Sequence, residues 1–545
     1  MKLSKDQVRI IKSGALYACT VIVFYPLAML ALGKAMSWSD FFVFAGIMIA
    51  IVALLGAFLV IGSRTPDKIM KRFAFFFSMM IVMTLTGCDN NDLDVTYNTK
   101  EDSEEFIIPH TVLSMESYSP DVFCDRVQSN KFMQNQLGDN EIANKILSGA
   151  IKTLVGLRKP QMDKTFAKQS ANNSCWQVQT CTFSYESVSV SGKPITLSGR
   201  ITFPNAKDGS GHKVKSLSLY VHYFLDKDVV PSLSLSPIDL RYLFDSAVIE
   251  PDLEGYGTSE DRPYCGFSML AQARQTADCM LAAIEVLKDN GVELIEGGHT
   301  TGWGYSLGGP IVLEFARYYD KQLSASQRKT INLTSVYSGG GPFLLDRMIE
   351  LLNVDKNLYA RTLRYLPHFL SSIPEEQLGG YQLRDFFPTW MHETKVTIDG
   401  ETMSFFESMV NNKVSGATWP SEVGLSQDVL YNHFAADMFT AESSLDLSHP
   451  KTVALLNAVK KQYDWDEWTP SADIYLTHDP NDKNIPYQQT QELYEQLKPS
   501  GRVFWRTTSA GPLGLIWEAH PANTLMSCIY AILYEEPQEA FRRGF

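Results

Sequence analysis

Residues 299–320 read HTTGWGYSLGGPIVLEFARYYD, and this stretch decides the fold. Residues 299–305, rich in threonine and aromatic side chains, predict a strand, and 308–320 carry apolar residues at helical spacing. Between them Gly304-Tyr305-Ser306-Leu307-Gly308 turns the chain in one step. Such a turn strains the backbone of Ser306, and side chains larger than Gly304 and Gly308 at the flanking positions would clash with it. Gly309 lets the helix pack close. A bare five-residue pattern of this kind is weak; the strand before it and the helix after it give it weight. A tight turn without chemistry is the competing reading.

The same rhythm extends in both directions. Residues 181–204 alternate apolar and polar around Ser191-Gly192 and predict an antiparallel hairpin. Strands follow at 216–222, 246–250, 299–305, 331–337, 473–477 and 502–506. Helices are expected at 236–244, 267–290, 308–320 and 486–498, with a last one from 521. Alternation of this sort builds a mostly parallel sheet with helices on both faces, here with an antiparallel edge. Residues 343–466 interrupt it with apolar helical runs such as LYARTLRYLPHFLSSI. That is too long for a plain loop and predicts a helical cap over the carboxyl edge of the sheet, where such sheets bind ligands. Residues 109–180 are expected to form an N-terminal extension, helical for the most part, ahead of core segments 181–342 and 467–545.

A serine hydroxyl becomes a nucleophile only when a base takes its proton and an acid orients that base. The Gly304–Gly308 stretch matches G-x-S-x-G and resembles the nucleophile elbow of the α/β-hydrolase superfamily. Residues 478–486, HDPNDKNIP, resemble that superfamily's H-G-x-x-D-x-x-V-P stretch, with Asp479 in place of the glycine. Residues 251–259, PDLEGYGTS, resemble its D-x-x-G-x-G-x-S segment. The likeness covers about 181–342 and 466–535 and implies an α/β-hydrolase fold with the order serine, acid, histidine. It makes Ser306 the nucleophile and Asp482 the acid, with Asp479 as the rival. Asp482 also reads as an N-terminal cap of the helix that follows. His520 is the sole histidine C-terminal to Asp482 and becomes the base. An oxyanion hole would draw on the backbone N–H of Leu307 and that of Tyr223 or Phe224, while His222 reads as structural.

Within the superfamily the GYSLGG and PDLEGYG stretches and the long insert look most like secreted lipases and esterases. The activity this implies is hydrolysis of a small-molecule or lipid ester through an acyl-enzyme. A serine peptidase of aminopeptidase type is the alternative, and a non-catalytic surface binding protein a third reading. No cofactor motif or metal-ligand spacing appears; the GGG at 339–341 lacks G-x-G-x-x-G and reads as close packing near the turn.

Composition narrows the setting. The 545 residues are 45% hydrophobic, enough for a sizeable core, and the net charge of −13 argues against a nucleic-acid partner. Two uncharged or nearly uncharged runs, 14–36 and 41–62, are each long enough to span a bilayer and predict a transmembrane hairpin within 1–69. Basic residues at both ends place those ends in the cytoplasm. Residues 70–88 then read as a charged segment, an apolar run and Leu85-Thr86-Gly87-Cys88, which resembles a bacterial lipobox with Cys88 as the lipid attachment. A third transmembrane helix with unmodified Cys88 is the alternative, and either Met1 or Met70 could be the start. Residues 89–108 are polar and acidic and predict a tether, so the catalytic part is expected outside the cytoplasm, held at a membrane. In an oxidising compartment Cys175 and Cys181, flanking a short turn, are the favoured disulfide, and Cys279 and Cys528 read as buried thiols.

Overall fold

The computed structural model describes residues 107–543 apart from 130–140, 170–174, 226, 355–359, 399, 412–433, 441–444, 464, 467 and 510–517. The expected membrane hairpin, the lipoprotein-type signal with Cys88 and nearly all of the tether lie outside these residues. Among the described residues no helix is long and apolar enough to cross a membrane.

One nine-stranded sheet carries the fold, in the order β1-β2-β3-β5-β4-β6-β7-β10-β11. Its strands are β1 His110–Tyr118, β2 Trp176–Val188, β3 Pro194–Ala206, β4 His212–Val221, β5 Ser246–Pro251, β6 Val292–Tyr305, β7 Leu333–Gly339, β10 Asp473–His478 and β11 Val503–Thr507. The pairs β1–β2, β2–β3 and β3–β5 are antiparallel, and every pair from β5 to β11 is parallel. Strands covered on both faces bury nearly every side chain, and all six residues of β5 are buried, its Glu250 paired with Arg200. The parallel strands therefore end on one edge, where His222, Ser306, Gly340, Asp479 and Thr508 begin the loops.

Helices α1 (Pro120–Ser129) and α2 (Glu141–Gln169) precede β2. Helix α3 (Met269–Asp289) leads into β6, and α4 (Gly308–Lys321) leaves it; α5 (Ala325–Ile331) precedes β7. Along α4 the side chains of Ile311, Val312, Leu313 and Phe315 are buried, each worth about 1.5–3 kcal/mol of transfer from water. Between β7 and β10 the inserted segment holds α6 (Leu345–Val354), α7 (Ala360–Leu370), a separate hairpin of β8 (Lys395–Ile398) and β9 (Glu401–Ser404), and α8 (Pro450–Lys460). Helix α9 (Tyr487–Leu497) follows β10, and α10 (Ala519–Leu533) and α11 (Pro537–Arg543) close the chain.

Several expectations change. The segment 109–180 is not simply helical: β1 adds a ninth strand to the sheet, and β2 begins upstream of 181. Most of β1 is exposed on both faces, so it carries none of the alternation that marks a half-buried strand. A register shift between Val112 and Ser114 also breaks its pairing, a common feature of sheet edges. The inserted segment includes a β-hairpin as well as helices. The Cys175–Cys181 disulfide does not form, and both are free thiols. Residues 176–181 run along β2 rather than around a turn, which sets the two cysteines roughly 20 Å apart, against the ~4.4–6.8 Å between Cα atoms that a disulfide needs. Cys279 and Cys528 are buried free thiols, as expected.

Candidate active site

The turn between β6 and α4 is built by steric exclusion. Ser306 has φ +54°, a left-handed backbone conformation that costs a non-glycine residue about 1–3 kcal/mol. It is held there by its own N–H, which donates to Gly339 O at 2.9 Å, and by its carbonyl, which accepts from Gly309 N at 3.0 Å. A Cβ on Gly304 would stand 2.2 Å from Gly308 O, and one on Gly308 would stand 2.1 Å from Val221 O. The start of α4 is thus pressed against the last residue of β4, with Leu307 and the 222–224 loop close by along the chain. Gly341 is equally tight, its Cβ position 2.5 Å from Ser306 O, so the GGG at 339–341 serves close packing.

Ser306, His520 and Asp482 meet here from three different strand ends. Ser306 Oγ lies 2.8 Å from His520 Nε2, and His520 Nδ1 lies 2.6 Å from Asp482 Oδ2. Asp482 Oδ1 accepts from the backbone N–H of Asn484 at 2.7 Å and of Ile485 at 2.9 Å. Burial alone would raise the Asp482 carboxyl, but His520 and His478 together outweigh it and hold the group below the ordinary carboxylate range. Asp482 is thus a carboxylate, and a proton on the facing His520 Nδ1 suits it and leaves Nε2 free to accept one from Ser306. Ser306 stays partly exposed while Asp482 and His520 are buried. An arrangement of this kind can remove a serine proton and return it to a leaving group.

The rival aspartate is placed otherwise. Asp479 Oδ1 accepts from Asn481 N at 2.9 Å, and Oδ2 accepts from Asn523 Nδ2 at 2.8 Å. It ties the β10 loop to α10 one turn beyond His520. His222 Nδ1 lies 2.6 Å from Tyr223 O and its Nε2 3.1 Å from Asp252 O, which links the 222–224 loop to the loop after β5. Tyr223 is buried and Phe224 half-buried. Phe224 meets Tyr365, His368 and Phe369 of α7 with ring centroids 5.4–5.5 Å apart, so the inserted segment does pack on this edge.

Sequence reasoning passed over three residues that shape the site. His478, read only as part of the motif, lies 3.3 Å from Asp482 Oδ2; its i,i+4 spacing was the available signal. Gln489 and Arg241, which anchor the surroundings, act through contacts more than a hundred residues apart in sequence and leave no local pattern. Among the described residues no group of acidic, cysteine or histidine side chains is placed to hold a metal ion.

A scan against protein-family models finds no match, and no curated protein matches in sequence. Solved structures do match. The rice cell wall degrading esterase LipA from Xanthomonas oryzae aligns with a TM-score of 0.51 at 16% identity, covering 78% of this chain and 96% of LipA. The chain has the α/β-hydrolase fold. A Legionella pneumophila protein aligns at TM-score 0.49 and 16% identity, over 71% of this chain and 96% of that one. Candida antarctica lipase A aligns at 0.38 and 12%, over 61% and 72%. In this α/β-hydrolase frame Ser306 after β6, Asp482 after β10 and His520 after β11 all rise from the carboxyl edge of the sheet.

Proposed function

We propose that the protein is a serine hydrolase that cleaves carboxylic esters through an acyl-enzyme on Ser306. His520 takes the hydroxyl proton as Ser306 attacks the carbonyl and then returns it to the departing alcohol. Asp482 keeps the imidazole in the Nδ1–H tautomer and balances its charge once it becomes an imidazolium. The developing oxyanion is met by the N–H of Leu307 and that of Tyr223 or Phe224. Water then attacks the acyl-enzyme with His520 as base, which frees the acid and restores Ser306.

The observation that carries this reading is the bond chain Ser306 Oγ–His520 Nε2–Asp482 Oδ2, at 2.8 and 2.6 Å. The left-handed backbone of Ser306, at the end of a strand and the start of a helix, is consistent with it. The choice of ester also draws on the activity in the name of the Xanthomonas esterase; the shared fold by itself does not carry it. The test is turnover of p-nitrophenyl acyl esters of graded chain length beside aminoacyl anilides, with the full chain and its Ser306→Ala variant. Ester turnover that vanishes in Ser306→Ala is expected. Undiminished ester turnover in that variant, or faster cleavage of the anilides, would defeat the proposal.

A further inference from the structure

The Asp482 carboxylate stands between two imidazoles. Its Oδ2 lies 2.6 Å from His520 Nδ1 and 3.3 Å from His478 Nε2. His478 is wholly buried, and its Nε2 makes no regular hydrogen bond among the described residues, so what it offers Asp482 is a close dipole rather than a fully formed bond.

Which nitrogen of His478 carries the proton follows from its other neighbours. Gln489, also wholly buried, donates from Nε2 to Gly341 O at 2.7 Å and to Thr490 Oγ1 at 2.8 Å. Its Oε1 accepts from Phe343 N at 2.9 Å and Leu344 N at 3.0 Å, which fixes the amide's orientation. Thr490 Oγ1 accepts from Gln489 and so has its own proton to give to His478 Nδ1, 2.7 Å away. Nδ1 is then an acceptor and the ring proton sits on Nε2, toward Asp482. The other tautomer would set a nitrogen lone pair against a carboxylate in a dry interior, where such opposition is costly.

We propose that His478 is a positioning residue for Asp482, holding Oδ2 at the point where His520 Nδ1 meets it. Two backbone N–H groups hold Oδ1, and the His478 Nε2–H stops the carboxylate turning about that anchor. Through Thr490 and Gln489 the same chain reaches residues 341–344, where the inserted segment leaves the sheet. The pull of His478 on the Asp482 carboxyl is consistent with this placement.

The inference rests on the serine hydrolase reading, and the two fail separately. Absence of Ser306-dependent turnover in the wild-type chain removes that reading and this proposal with it. With such turnover present, His478→Asn is expected to lower kcat roughly tenfold while KM stays within about twofold, because the loss is in alignment rather than substrate binding. His478→Gln returns an N–H to the Nε2 position and should regain most of that loss, with unfolding midpoints compared across the set. Wild-type kcat in His478→Asn, or a Gln variant no better than Asn, would overturn the proposal. Should His478→Asn fail to fold, Thr490→Val removes the hydroxyl that sets the tautomer; a severalfold fall in kcat is expected, and an unchanged kcat overturns the inference.

Discussion

After β10 two aspartates lie three positions apart, and their surroundings give them separate tasks. Asp482 turns one oxygen to backbone N–H groups and the other to His520. Asp479 turns both of its oxygens to asparagine side chains or backbone nearby. Asp482→Asn keeps an acceptor for the N–H groups of Asn484 and Ile485 but presents His520 with a group that favours the wrong tautomer. We expect kcat to fall by roughly 10³–10⁴ with the fold retained. Asp479→Asn should cost far less in kcat and register mainly as lost stability. Comparable losses of kcat in the two variants, with both folded, would contradict this division.

Helix α10 carries His520 at its first turn and is clamped at both ends. At the start, Asn523 Nδ2 donates to Asp479 Oδ2. At the far end the buried Arg241 guanidinium donates to Ala531 O, to Tyr534 O at 2.8 Å and to Glu535 O at 2.7 Å. Ala531 O is a carbonyl the helix leaves without a partner in its last turn, and Tyr534 O and Glu535 O follow just past its end, where a cation also suits the helix dipole. Arg241→Met strands them, at about 1–3 kcal/mol for each buried group left unpaired. The unfolding midpoint should drop clearly, and the reactivity of Ser306 with it; an unchanged midpoint would show that water replaces the arginine. Elements of this kind explain what the sequence could and could not disclose. The Ser306 turn and the strands around it were legible because local sterics and periodicity set them. Asp482 and His520 were legible because the order of elements left few candidates. Strand β1 was missed because an edge strand exposed on both faces has no alternation to read, and the 176–181 run was mistaken for a turn. The Arg241 clamp and the Gln489 anchor were invisible because their partners lie far along the chain.

On the scale of the whole molecule, one buried charge cluster ties the antiparallel edge to the parallel core. Arg200 on β3 lies 2.6 Å from both Asp239 and Glu250, and all three are buried. Two carboxylates on one guanidinium leave an excess negative charge in a dry interior. Burial first, and Asp239 second, push Glu250 up to about 7 against the pull of Arg200. Since the folded value lies above the unfolded one of about 4.3, the stability Glu250 contributes is complete below that pH and is lost as pH rises through 7. Glu250→Gln removes this titration. Its unfolding midpoint should fall furthest behind wild type near pH 5 and close the gap by pH 8; a constant gap would contradict the assignment. The cluster lies in the sheet, and the chemistry is expected at its carboxyl edge. At that edge the buried pair Asp482 and His520 is expected to activate one serine. Reaction of the full chain with a fluorophosphonate, followed by peptide mass mapping of the adduct, tests this most directly. A single phosphonylated site at Ser306 is expected, with labelling absent from Ser306→Ala. No adduct on the folded chain, or an adduct at another residue that survives in Ser306→Ala, would contradict it.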